Sequence, residues 1–333
     1  MNQLNPKNVL IVGGGGYVGT KLSGCLAAKN YTVTVFDTFW FGDFVQRSPN
    51  LNVVKGDVRD EQAVRAVMAG KDAVVLLACL SNDPMSDIDP ELTRDINLKA
   101  LQKVVAIAKA SGVKRLVYAS SMSVYGVQDV PKVTEDVPLR PITLYSKYKV
   151  EMEEVVRHAA DDNFAVVNVR SSTVCGYSPR MRLDLLVNLF VWLAMKNGVI
   201  FLEGGDQIRP LIHIDDLVDF YVLMLTADRD KIHDDVYNIS SGNYTVKEVA
   251  EMVRRHVPCE LKQAKVVDGR SYPGNADKAL EKLGFKTKRT VEQALVEVKE
   301  AIASGKINGD DVRCFNLKWL KELMKQDAKL VNV

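Results

Sequence analysis

An apolar run, Val9-Leu10-Ile11-Val12, stops at four consecutive glycines, Gly13 to Gly16, and a helical pattern starts at once behind them. A strand, a tight turn and a helix in that order open a parallel α/β sheet. The embedded spacing is Gly13-x-x-Gly16-x-x-Gly19. Each of these glycines answers a demand made by a bound dinucleotide. The first allows a sharp turn, the second lets backbone approach a pyrophosphate, and the third lets helix pack close to strand. Helix N–H groups and the positive end of the helix dipole then face the phosphates. A plain tight turn uses glycine as well, so a second signal has to decide. Thr32-Val33-Thr34-Val35-Phe36 reads as the next strand and ends at Asp37, eighteen residues beyond Gly19. A carboxylate there accepts hydrogen bonds from both ribose hydroxyls of an adenosine and repels a 2′-phosphate. The pair of signals predicts an NAD site and weighs against a mere loop carboxylate.

The chain of 333 residues is long enough for one large or two modest domains. Its 47% hydrophobic and 26% charged residues are ordinary for a globular protein, so no disordered or fibrous class is called for. A net charge of +2 without a basic block predicts no nucleic acid or acidic membrane as partner. Cys25, Cys79, Cys175, Cys259 and Cys314 form no CxxC pair. An odd, scattered set suits reduced thiols in the cytoplasm, with neither a disulfide frame nor a metal site. No window approaches the ~20 apolar residues of a membrane span, and residues 1–7 carry no apolar signal core.

Strand and helix patterns alternate through the first half. A helix is expected over Tyr17 to Lys29, and Thr38 to Gly42 forms an aromatic loop that covers an adenine or simply packs. Asn52 to Lys55 reads as a strand and leads to Asp57-Val58. Asp57 is placed to meet an adenine amino group with Val58 against the ring, unless it only shapes the turn while Asp60 caps a helix over Glu61 to Ala69. Ala73 to Leu77 is a continuous apolar strand, and Ala78-Cys79 follows at the sheet's carboxyl edge, where doubly wound folds bind ligands. A long helix over Pro90 to Ser111 contains Asn97, and a strand over Lys114 to Ala119 runs into Ser120-Ser121-Met122-Ser123-Val124-Tyr125-Gly126. A helix over Tyr145 to Ala160 and a strand from Phe164 to Arg170 complete the repeat. The rhythm predicts a Rossmann-type doubly wound parallel sheet over 1–170 with right-handed crossovers. Past Arg170 it breaks, and 171–333 reads as a smaller α/β substrate domain. Helices are expected near Leu183–Asn197, Asp216–Ala227, Val246–His256, Asn275–Leu283 and Val291–Ser304, and some segments near Asp215 and Val236 return to the main sheet.

Tyr145 and Lys149 stand four apart on one helix, so they share a face. A phenol titrates near ~10, too high for a base at neutral pH, and a neighbouring ammonium with a positive nicotinamide ring lowers it. Tyr-x-x-x-Lys alone is a common surface pair. Here Ser121 ends the preceding strand and offers a hydroxyl to the same substrate group, so base, orienting hydroxyl and hydride acceptor converge on one carbon.

Together Gly13-x-x-Gly16-x-x-Gly19, Asp37, Asp57-Val58, Asn97, Ser120-Ser121-x-Ser123-Val124-Tyr125-Gly126 and Tyr145-x-x-x-Lys149 resemble the extended short-chain dehydrogenase/reductases, in particular their NAD-dependent nucleotide-sugar epimerase/dehydratase group. The resemblance covers nearly the whole chain. It implies that Gly13, Gly16, Tyr17, Val18, Gly19, Asp37, Asp57, Val58, Ala78, Asn97, Tyr145 and Lys149 touch NAD. It makes Ser121, Tyr145 and Lys149 the catalytic set, with Ser123 able to share the serine role. The segment Arg209 to Asp216 is similar to one whose arginine clamps the substrate diphosphate, a job suited to a guanidinium fork. Asn188-Leu189 resembles a pair near that diphosphate, and Arg270-Ser271-Tyr272 is expected at the nucleotide. His213 reads as structural and Asp215-Asp216 as the cap of the next helix.

Two departures matter. The family's 4,6-dehydratases carry Asp-Glu after the catalytic Ser/Thr, and this chain has Met122-Ser123, which disfavours dehydration. The asparagine expected after the central arginine is Thr173, which leaves the sugar's orientation open. Arg180 and Arg182 stand near the expected sugar site and either read a carboxylate or phosphate or lie in solvent. The first expectation is therefore a nucleotide-sugar epimerase working by transient C4 oxidation. The alternatives are a sugar C4 dehydrogenase or keto-reductase and, lower, an NAD-sensing regulator without catalysis. The two long helices, Pro90–Ser111 and Tyr145–Ala160, resemble those that form a four-helix dimer interface in this family, so a homodimer is expected.

Overall fold

The apolar runs at Val9–Val12, Val33–Phe36 and Ala73–Leu76 are of the kind that a sheet covered on both faces requires. The computed structural model describes residues 4–264 and 271–326. In chain order the strands are β1 (Asn8–Val12), β2 (Thr32–Asp37), β3 (Leu51–Lys55), β4 (Ala73–Leu76), β5 (Arg115–Ser121), β6 (Ala165–Ser171), β7 (Thr173–Cys175), β8 (Val199–Leu202), β9 (Ile208–His213), β10 (Asp235–Ile239), β11 (Gly242–Thr245) and β12 (Glu260–Gln263). The helices are α1 (Tyr17–Ala28), α2 (Glu61–Met68), α3 (Asp83–Ser86), α4 (Pro90–Arg94), α5 (Leu101–Ala110), α6 (Leu144–Ala159), α7 (Leu186–Asn197), α8 (Ile214–Thr226), α9 (Arg229–Ile232), α10 (Val246–His256), α11 (Asp277–Leu283), α12 (Val291–Ala303) and α13 (Asn316–Gln326).

Seven strands form one sheet in the order β10-β6-β5-β4-β1-β2-β3, and every neighbouring pair is parallel. The strand order reverses between β1 and β4, so a crevice opens beyond their carboxyl ends. Alternate side chains go to opposite faces. Leu10 and Val12 join Val64 of α2, Leu101 and Val104 of α5 and Met152 of α6, while Val9 and Ile11 join Leu22 of α1 and Leu217 and Phe220 of α8. The smaller unit has its own core, in which Val187 and Val191 of α7, Val249 and Val253 of α10 and Leu295 and Val298 of α12 pack around Ile200.

The expected boundary near residue 170 is crossed repeatedly. β10 pairs with β6, with Tyr237 opposite Val169, and α8 lies against α1. From the far end of the chain α13 returns to the first half, where Leu320 packs in a cluster with Trp40. The helix read over Pro90–Ser111 is α4 and α5 joined by a wider π-type segment, Asp95–Ala100. Such turns recur at functional sites, and this one presents Asn97 to the loop after β4. Among the described residues no helix is long and apolar enough to cross a membrane.

Candidate active site

The glycine turn is forced by its surroundings. Gly13 has φ +84°, and a Cβ on it would lie 2.4 Å from the Ala78 nitrogen. A Cβ on Gly19 would lie 2.5 Å from the Gly14 Cα, so only glycine lets α1 pack this close to β1. Gly16 precedes α1 without a side-chain cap, which leaves first-turn N–H groups for a ligand. Gly13, Gly16, Tyr17, Val18, Gly19, Asp37, Asp57, Val58 and Ala78 all line one cavity of about 720 Å³. The arrangement fits a dinucleotide: a turn whose close backbone packing only glycine allows, under an uncapped helix N-terminus that lines the cavity.

Asp37 accepts the N–H of Gly15 at 2.9 Å and of Phe39 at 2.8 Å. A carboxylate offers about four acceptor positions, so two remain for ribose hydroxyls. Burial raises its pKa, and the two N–H groups and Arg180 oppose that rise. Asp57 takes the Arg59 guanidinium at 2.8 Å and the Arg59 N–H at 2.9 Å, while Asp60 caps α2. Asp57 thus shapes the turn, and it also lines the cavity. Asn97 is not on the cavity wall. Its amide receives the Leu80 N–H at 2.7 Å and donates to the Leu80 carbonyl at 3.0 Å, which makes it a brace for a loop that does line the cavity. The aromatic loop packs and lines at once: Trp40 and Phe41 join the core and face the cavity.

Thr143 and Ser146 form a capping box at the start of α6, which fixes the first turn that carries Tyr145. Tyr145, Lys149, Ser121 and Ser123 share the cavity with the glycine turn. The Lys149 ammonium donates to the Ala119 carbonyl at 2.6 Å and stands 5.5 Å from the centre of the Tyr145 ring. Burial holds the Tyr145 phenol well above an ordinary tyrosine, Cys79 and Asp83 add to the shift, and Arg182 and Ser121 oppose it. The expected lowering by Lys149 is therefore not seen here. Desolvation of the phenol outweighs the Lys149 ammonium 5.5 Å from its ring centre. Ser121 accepts the Ser123 N–H at 3.2 Å, and the buried Ser123 hydroxyl has no partner among the described residues, which leaves it to a ligand.

Across the cavity stand Arg209, Thr173, Tyr272 and an apolar wall of Leu186, Leu189 and Phe201. Asn188 is fully buried and off the wall, unlike the expected diphosphate ligand. Its amide receives the Gly176 N–H at 3.1 Å and donates to the Tyr17 hydroxyl at 3.2 Å and to the Arg182 carbonyl at 2.9 Å. Both N–H groups of the Asn188 amide are used and its oxygen is engaged, so it ties α7 to the start of α1. Arg270 lies outside the described residues; its neighbour Ser271 accepts the Ile208 N–H at 3.0 Å. His213 is buried and its Nδ1 accepts the Asp215 N–H at 3.1 Å, so the histidine, and neither aspartate, caps α8. Asp216 instead holds the N–H groups of Lys288 and Arg289.

The reading from sequence did not find Asp184 or Asn316. Asp184 pairs with Arg182 at 3.0 Å, and Arg182 reaches Ser81 at 3.1 Å. Asn316 donates to the same Ser81 hydroxyl at 3.2 Å. The short Arg182-x-Asp184 spacing was a usable signal. Asn316 had none, since its partners lie more than a hundred residues away.

The NAD-dependent epimerase/dehydratase family matches residues 9–240. The UDP-glucose 4-epimerase of Corynebacterium glutamicum is 27% identical over 315 residues, covering 89% of this chain and 95% of that protein. The UDP-glucose 4-epimerase of Bacillus subtilis is 26% identical over 317 residues, covering 86% of this chain and 94% of the relative. The solved structure of MoeE5 in complex with UDP-glucose and NAD superposes with a TM-score of 0.78 at 26% identity, covering 90% of this chain and 100% of that one. The chain belongs to the NAD-dependent epimerase/dehydratase family and is an NAD-dependent enzyme.

Proposed function

We propose that this enzyme is a nucleotide-sugar epimerase that inverts C4 of its sugar through a transient 4-keto intermediate. The observation that carries this is the convergence, in one cavity, of the glycine turn and Asp37 with Ser121, Tyr145 and Lys149, facing Arg209. NAD, when bound, supplies an oxidised nicotinamide, a positive ring that takes a hydride from carbon and can return it. Tyr145 takes the proton of the C4 hydroxyl as that carbon is oxidised. Ser121 donates to the same oxygen and holds it in line. Lys149 supplies positive charge beside the phenol once the ring is no longer neutral. After the keto sugar turns over, the hydride returns to the other face of C4 and Tyr145 gives its proton back to the C4 oxygen. Proton and hydride both go back, so the reaction is redox-neutral. Arg209 is assigned to the substrate diphosphate, whose oxygens its fork matches.

Met122 and Ser123 stand where an eliminating enzyme of this group has its carboxylates, which supports inversion over dehydration. UDP-glucose 4-epimerases as full-length relatives support the same choice. The alternative, a C4 dehydrogenase or keto-reductase, uses the same three residues and differs in whether NAD stays bound. Denaturing the purified protein and identifying what it releases tests this. Near-stoichiometric NAD that survives gel filtration is expected. A protein that emerges empty and exchanges cofactor every turnover would favour the dehydrogenase.

We also assign the enzyme to the cytoplasm, which its five unpaired cysteines suit. A homodimer through α5 and α6 belongs to the same reading, since the two helices lie side by side at the surface. Their outward positions include Gln102, Lys103, Ala106, Glu151 and Glu154, a polar face. Light scattering at micromolar concentration should give the dimer mass at low salt and a smaller one at high salt; a monomer at every ionic strength removes the dimer.

A further inference from the structure

Arg180 is a buried cation with no ion-paired carboxylate among the described residues. It is 2% exposed, its Nε has no hydrogen-bond partner, and no carboxylate among the described residues lies within 4.0 Å of it. Its guanidinium donates to the Asn316 side-chain carbonyl and lies 4.4 Å from the centre of the Phe41 ring. Arg182, two residues on, is different, because Asp184 neutralises it. Burial and the nearby Arg182 pull the Arg180 pKa down to about 10. A desolvated, unpaired guanidinium is costly, and a fold keeps one where a ligand completes it.

The position says which ligand. The Arg180 N–H bonds the Thr20 hydroxyl at 3.4 Å, and Ser178 donates to the Tyr17 carbonyl at 2.6 Å. Both contacts tie this segment to the first turn of α1, the turn with no side-chain cap. Arg180 also stands close enough to Asp37 to oppose the rise in its pKa. It therefore faces the cavity from the adenosine side, whereas Arg209 comes from β9.

We propose that Arg180, from the segment beyond β7, binds the pyrophosphate of NAD opposite the N-terminus of α1, and that Asn316 of α13 is its positioning residue. This rests on the assignment of NAD and adds a second half to its site. The end of the chain then governs cofactor retention. α13 is held for this by Asn316 on Ser81, by the Trp319 Nε1 bond to the Trp40 carbonyl at 2.6 Å, and by buried Leu320.

The test is calorimetric binding to cofactor-free, full-length protein, with NAD, ADP-ribose, adenosine and UDP-glucose as probes. Arg180→Met is expected to weaken NAD and ADP-ribose by about 10- to 100-fold, the effect of losing a charge-assisted bond. Adenosine, which has no phosphate, and UDP-glucose should bind as before. The melting temperature of the cofactor-free variant should not fall, while the rise on adding NAD shrinks. Arg180→Lys should recover part of the affinity, and Asn316→Ala should lose a smaller part in the same order of probes. An equal loss for adenosine would make Arg180 a packing residue and overturn the proposal. So would a loss confined to UDP-glucose, or unchanged NAD binding. Wild-type protein that binds neither NAD nor ADP-ribose would instead refute the cofactor assignment itself, a separate result.

Discussion

Tyr145→Phe is expected to lower kcat by about 10³-fold, within the range for loss of a positioned general acid–base, while NAD still binds. The substitution removes one oxygen and keeps the ring that lines the cavity beside Lys149. The Lys149 ammonium is not left unpaired by it, because it is held by the Ala119 carbonyl rather than by the phenol. Stability and substrate KM should therefore change little. That split separates lost chemistry from lost binding. Ser121→Ala should act on the same step but more weakly, since it orients the hydroxyl and does not carry the proton. Steady-state kinetics with parallel quantitation of bound NAD checks both. Activity of Tyr145→Phe within about tenfold of wild type would mean that another group takes the proton.

Arg170→Ala is expected to destabilise the protein by about 3–5 kcal/mol, read from the shift of the urea midpoint, because it strands a buried carboxylate. Arg170 on β6 donates from Nε to Glu153 on α6 at 2.9 Å and from Nη2 at 2.7 Å, and both side chains are under 7% exposed. Ser120 also donates to Glu153, and Arg170 reaches the Tyr125 hydroxyl at 2.8 Å, which in turn donates to Asn238 of β10 at 2.8 Å. One charged pair thus fixes α6 against β5, β6 and β10. The same helix carries Tyr145 and Lys149, so its seating sets the catalytic pair. Replacing both partners with apolar residues, Arg170→Met with Glu153→Leu, should recover much of the loss, because no lone charge is then buried. A double variant as unstable as Arg170→Ala would show that the polar network, and not the unpaired charge, sets the cost.

How much of this was legible depends on distance along the chain. The glycine turn, Asp37 and the Tyr145–Lys149 pair are local patterns with one periodicity each, and the structure puts all of them on one cavity. Strands β1, β2 and β4 were legible because burial on both faces demands apolar residues at consecutive positions. β7, β9 and β11 were not, since three- to six-residue strands in a mixed sheet carry no comparable run. Side-chain roles failed where polar partners are remote. Asn188 and Asn97 look like ligands in sequence, yet both amides are engaged by protein groups that only the fold brings near. His213 took the cap expected of its aspartates because Asp216 is needed 72 residues away, at Lys288. Proximity of Lys149 suggested an acidic phenol, but burial outweighs it. Arg180 was noticed among basic residues, but that it is buried with no carboxylate beside it among the described residues is visible only in the fold.

The central claim is that a hydride leaves C4 of the sugar and returns to it. The most direct measurement supplies UDP-hexoses deuterated at C4, with glucose and galactose configurations and their acidic and N-acetylated forms, and follows the label by NMR. The account predicts inversion at C4 with the deuterium still on C4 of the product and no net reduced cofactor. Deuterium lost to solvent, or found in released NADH beside a 4-keto sugar, would contradict it.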